Sequence, residues 1–169
     1  MKVVVGLLVS ACLALGGGIV TAGSASATLV GDTQGCTPGY WKQSQHFDSW
    51  QEAKPTNLFT ARFGITAPVP AVLDGMTFRD ALNGGGGPGL DGARLILARA
   101  ATAAWLNAAY DAPDGSAMLF PWRRNGRGYD GQPPLVATVR TAITGTDRQP
   151  MLDLAAQLDA ANNLGCPLS

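Results

Sequence analysis

The chain has one histidine, His46, one glutamate, Glu52, and few lysines beside its arginines. With a lone histidine and no Cys-x-x-Cys pair, it lacks the ligand set of a zinc site. The glycine run Gly84-Gly85-Gly86-Gly87-Pro88-Gly89 lacks the Gly-Lys-Ser/Thr ending of a phosphate loop. Asp91, at the start of the next helix, would also repel an anion, so the run reads as a flexible turn. Asp111-Ala112-Pro113-Asp114-Gly115 offers oxygens to calcium but matches no EF-hand loop. No cofactor pattern is present and none is expected. No segment alternates β-branched with polar residues, which argues against a sheet. Internal repeats and long low-complexity tracts are also missing. Twelve Lys and Arg balance twelve Asp and Glu, so no net field favours nucleic acid or an anionic membrane as partner.

The apolar run Val3–Leu15 is too short for a comfortable membrane span, and Gly16-Gly17-Gly18 interrupts its apolar character. With Met1-Lys2 before it and Ala25-Ser26-Ala27 after it, it has the anatomy of a signal peptide cleaved after Ala27. No twin arginine is present, which favours the general export route. A competing pattern, Val9-Ser10-Ala11-Cys12, resembles a lipoprotein box, and its use would lipidate Cys12. The expectation is a signal peptide over 1–27 and a single extracellular domain over 28–169. That domain retains Cys36 and Cys166, and an even count outside the reducing cytoplasm reads as a disulfide. Closing so long a loop is worth on the order of 5 kcal/mol in the chain-entropy picture.

The class expected is all-α. Residues 28–57 read as irregular, with a short helix around Phe47–Ala53. Asn57 is placed to cap one turn through Phe59 and Phe63, ended by Gly64. Thr77-Phe78-Arg79-Asp80 has capping-box character before a short helix that turns Phe78, Ala81 and Leu82 inward. The main helix, from about Asp91 to Tyr110, is Ala-rich and apolar nearly all round, with Asp91, Arg94, Arg99 and Thr102 on a narrow polar strip. Such a helix is central to its fold. Pro133-Pro134 opens a helix with the stripe Leu135, Val136, Val139, Ala142 and Ile143. A last helix, from about Gln149 to Asn163, buries Met151, Leu154, Ala155, Leu158 and Ala161. Gly165 serves as its C′ residue and delivers Cys166.

Two stretches carry recognition chemistry. Tyr40, Trp41, Phe47 and Trp50, with Lys42 and His46 beside them, form either a stacking platform or the packing of the N-terminal segment onto the helices. Trp122-Arg123-Arg124-Asn125-Gly126-Arg127-Gly128-Tyr129 interleaves three arginines with aromatics. It suits either a polyanion or acidic protein patch, or pairing with Asp114 and Asp130. Candidate binding residues are therefore Tyr40, Trp41, Lys42, Trp50, Arg123, Arg124, Arg127 and Tyr129. Ser44, His46 and Asp48 have the residue types of a hydrolase triad, but positions two apart do not converge as triad members do.

Gly35-Cys36-Thr37-Pro38-Gly39-Tyr40-Trp41-Lys42 followed by Trp50, together with the ending Asn162-Asn163-Leu164-Gly165-Cys166-Pro167-Leu168, resembles an uncharacterised family of secreted bacterial proteins. Leu82-Asn83-Gly84-Gly85-Gly86-Gly87 and the Ala-rich stretch Ala100–Ala109 fit the same likeness. The resemblance implies an exported helical domain and brings no activity, substrate or catalytic residues. The segment from about Pro113 to Gln132 is longer and more basic than it implies. The expected function is non-enzymatic binding or assembly at or beyond the cell surface. Its partner would be a surface or extracellular polymer or protein, or a second copy, with membrane contact only through a lipidated Cys12. The alternative is a small extracellular hydrolase, which needs two of Asp48, Asp111, Asp114 and Asp130 converging in a cleft.

Overall fold

The computed structural model describes residues 34–110, 119–128 and 131–168. The expected signal segment, Cys12, Asp111, Asp114, Tyr129 and Asp130 lie outside the described residues. Helices within them are α1 (Pro38–Trp41), α2 (Phe59–Arg62), α3 (Phe78–Asn83), α4 (Gly89–Tyr110), α5 (Leu135–Ile143) and α6 (Arg148–Asn162), with 3-10 turns at Ser44–Ser49 and Ala71–Leu73. No strand occurs among the described residues; two isolated antiparallel bridges pair Gly35 with Gly165 and Leu58 with Thr77. No helix among them is long and apolar enough to cross a membrane.

α4 is the axis of the molecule. It packs most extensively on α6, and also touches α1, α3 and α5. Its alanines explain this: Ala93, Ala98, Ala100, Ala101, Ala103, Ala104, Ala108 and Ala109 are all buried, and their small side chains admit neighbours on every side. Leu97, Trp105 and Leu106 fill the remaining space, each contributing about 1.5–3 kcal/mol of burial. Thr102 departs from the expected polar strip. It is fully buried, and its hydroxyl donates to the Ala98 carbonyl at 2.8 Å, so no polar atom is stranded.

The flanking helices follow their stripes. The Thr77 hydroxyl accepts from the Asp80 amide while the Asp80 carboxylate accepts from the Thr77 amide, a complete capping box at α3. α5 buries Leu135, Val139 and Ile143, and α6 buries the five residues expected of it together with Asn162. Pro134 gives α5 no capping side chain. Its first amides, Leu135 and Val136, donate instead to the carbonyls of Arg123 and Arg124 at 2.9 and 3.2 Å. Buried Phe120 and Trp122 pin the same loop from the inside.

Cys36 and Cys166 are disulfide-bonded, with Cα atoms 4.4 Å apart across a separation of 130 residues. The bond ties the segment entering α1 to the segment leaving α6. Beside it the Gly35 amide donates to the Gly165 carbonyl at 2.9 Å. A Cβ at Gly35 would collide with the Ala161 carbonyl, so only glycine permits this approach.

Besides Thr102, three local expectations differ from the structure. The helix around Phe47–Ala53 is instead the 3-10 turn Ser44–Ser49. Trp50 turns extended to bury its indole beside Phe78, and Glu52 takes φ +54°, neither compatible with a continuing helix. Asn57 does not cap α2. The Phe59 amide is satisfied by the Met76 carbonyl at 2.9 Å, so Leu58 serves as N-cap without a side-chain bond. The Asn57 amide oxygen accepts instead from the Lys54 amide and the Arg62 guanidinium. Finally, α6 ends at the C-cap Asn163, so Gly165, at φ +112°, stands one residue beyond the C′ position.

Candidate functional site: the Trp105 junction

The basic loop read in the sequence reaches α4 through Arg124, where it meets Arg62 of α2, a residue outside both stretches. Trp105 is only 3% exposed, and Phe78 packs edge-on against its ring at 5.4 Å. Two guanidinium groups lie over that ring. The Arg62 group, at the end of α2, is 5.2 Å from the ring centroid, and the Arg124 group, from the loop that caps α5, is 4.9 Å away. Stacking on one indole restricts both long side chains before any ligand arrives.

Each arginine has a further partner. Arg62 Nη2 donates to Asn57 Oδ1 at 2.7 Å. Arg124 Nη1 and Nη2 donate to the two carboxylate oxygens of Glu52 at 2.7 and 3.1 Å, a two-pronged pair. The Arg124 hydrogen bond holds the Glu52 carboxyl below its usual range; burial opposes this, and the charges of Arg124 and Arg62 reinforce it. Glu52, Ala53, Lys54, Asn57 and Arg62 line an open recess of about 390 Å³. Around it Lys54, Arg62 and Arg124 outnumber Glu52, so the junction is positive although the chain is neutral.

The N-terminal aromatics do not form an exposed row. Trp41 is fully buried, and its indole donates to Asn107 Oδ1 at 3.0 Å. Trp50 is 7% exposed, and its Nε1 is a buried donor without an acceptor among the described residues. Tyr40 stacks on His46 at 3.9 Å and donates its hydroxyl to the Leu168 carbonyl at 2.6 Å, fastening the C-terminal tail. Lys42 is exposed. Of the loop arginines, Arg124 reaches the junction; Arg127 Nη1 donates to the Gly131 carbonyl at 3.1 Å, and Arg123 is an exposed residue whose backbone carbonyl caps α5. Ser44 and Asp48 are exposed on the 3-10 turn, and His46 lies against Tyr40 rather than between them.

The sequence reading missed Glu52, Asn57, Arg62 and Trp105 as site residues, and no spacing rule links four positions drawn from three elements. It also missed Asn107, which is fully buried and uses both ends of its amide. Oδ1 accepts from the Cys36 amide at 2.9 Å and from Trp41 Nε1 at 3.0 Å; Nδ2 donates to the Cys36 carbonyl and to Asn162 Oδ1, each at 2.9 Å. Asn162 Nδ2 then donates to the Ala100 carbonyl at 3.0 Å. A poor helix former amid buried alanines was the available signal.

A second depression, a groove of about 920 Å³ between α5 and α6, has a largely apolar lining that includes Trp122, Pro134, Ala142 and Leu154, with Asp147 and Asp153 among its walls. Both carboxylates are engaged locally, Asp147 with the Gln149 amide and Asp153 with the Gln149 side chain. Burial pushes the carboxyl of Asp159 up, with the charge of Arg99 opposing it, but Asp159 lines neither depression. No group of three His, Cys, Asp or Glu able to hold a metal occurs among the described residues. No family model, curated protein or solved structure shows significant similarity to the chain.

Proposed function

We propose that this protein is a non-enzymatic binding module that works at or beyond the cell surface and grips an anionic ligand at the Trp105 junction. The observation that carries this reading is the pair of guanidinium groups stacked over one buried indole beside an open recess. Arginines ordered in this way lose less side-chain freedom on binding than free ones. The disulfide suits life outside the reducing cytoplasm and ties the segment entering α1 to the segment leaving α6.

The test is retention of the purified oxidised protein on immobilised acidic peptides and polyanions at low salt. Replacing Arg62 and Arg124 with alanine is expected to reduce binding by tenfold or more, about 1.4 kcal/mol. Replacing Arg127, which is turned to its own loop, is expected to have a much smaller effect. Equal retention of all three proteins would remove the junction as the binding site.

A further inference from the structure

We infer that Glu52 is a built-in competitor at this junction: its carboxylate occupies the Arg124 fork that the carboxylate of an acidic peptide takes when ligand binds. This deepens the proposed function and rests on it.

Four observations lead to this inference. The Arg124 fork already holds a carboxylate, through two hydrogen bonds of 2.7 and 3.1 Å, so its spacing suits the group it would receive. The two partners are unequally held. The side chain of Glu52 is 51% exposed and that of Arg124 is 23% exposed, so the carboxylate is the outer, replaceable member of the pair. Glu52 also stands at φ +54°, a left-handed conformation unfavourable to a residue with a side chain. The conformation from which Glu52 reaches Arg124 is thus a strained one. Finally, a second cation is waiting. Arg62 stays over Trp105 through its bond to Asn57, and Lys54 lines the same recess, so an incoming acidic side chain gains contacts that Glu52 does not make.

The junction favours an acidic peptide over an acidic sugar polymer. Sugar recognition uses open aromatic faces, and here Trp105 is 3% exposed beneath its guanidinium groups while Trp50 is buried. The recess presents charge and amide, the chemistry that reads aspartate and glutamate side chains.

Fluorescence anisotropy at low ionic strength tests this on the oxidised full chain, with a labelled peptide of alternating glutamate and glycine and with labelled polygalacturonate. Glu52→Gln removes the competing charge. Glu52→Gly removes both the charge and the backbone strain, and serves as a control for misfolding of the first variant. Both variants are expected to bind the peptide about two- to fivefold more tightly, the range set by an exposed ion pair. Arg124→Ala is expected to lose binding. If both Glu52 variants bind with unchanged or weaker affinity while Arg124→Ala still loses binding, Glu52 is not a competitor and the binding reading survives. If the unmodified protein prefers polygalacturonate, the ligand class is wrong. If no protein binds either probe, the inference and the reading beneath it both fall.

Discussion

Asn107 shows how one side chain can hold three parts of a chain together. Its amide has two donor positions and an oxygen that accepts twice, and all four capacities are used in a site with no water access. The partners come from the segment around Cys36, from α1 and from α6. Truncation to alanine would strand the Cys36 amide, the Cys36 carbonyl and the Trp41 indole inside the core, each at about 1–3 kcal/mol. Asn107→Ala is therefore expected to cost at least about 3 kcal/mol, read as a lowered midpoint in urea with the disulfide intact. A change below about 1 kcal/mol would mean that the network is not held as described. This residue was poorly legible because its partners lie 55 to 71 positions away, beyond any local pattern. The same holds for Glu52 and Arg124, which are 72 apart. The capping pair Thr77 and Asp80, only three apart, was read correctly.

Helices whose faces repeat every three or four residues were legible as elements; those shaped by distant packing were not. α5 and α6 carry their stripes openly, and the central position of α4 follows from its alanines. The turn Ser44–Ser49 and the cap of α2 were misread because each is decided by a partner elsewhere, Phe78 for Trp50 and Met76 for Phe59. Electrostatics at this scale give a test with opposite signs on two elements. The Asp80 carboxyl is held below its usual value, first by the Thr77 hydroxyl and then by the Thr77 amide. Its contribution is present above the unfolded value of 3.8 and is lost as pH falls through its lower folded pKa. Asp159 is the reverse, because burial raises its pKa. Its contribution is full below 3.8 and is lost as pH rises through the raised value, since the folded state keeps the proton longer than the unfolded chain. Its charge also lies near the C-terminal end of α6, where a negative charge is unfavourable. Asp159→Asn is thus expected to raise the melting temperature at pH 7 and to leave it nearly unchanged at pH 3. Thermal scans at the two values decide the matter, and a loss of stability at pH 7 would reverse the assignment.

Across the whole molecule, the two ends of the described chain are fastened to each other and to the central helix. The disulfide, the Gly35–Gly165 bridge, the Tyr40 hydroxyl on Leu168 and the Asn107 network all lie along this seam. The Trp105 junction is built from the segment that leaves the seam and from the loop that caps α5, both packed on α4. The all-α class and the cysteine pairing were legible because composition and cysteine count report on the chain as a whole. The junction was not, since it exists only once α4 brings two distant stretches together. Urea unfolding of the oxidised protein against the reduced, alkylated protein tests this closure most directly. A loop of 130 residues corresponds to about 5 kcal/mol of stability lost on reduction, in a single transition. An unchanged midpoint after complete reduction would show that the covalent tie contributes nothing to holding the chain ends on α4.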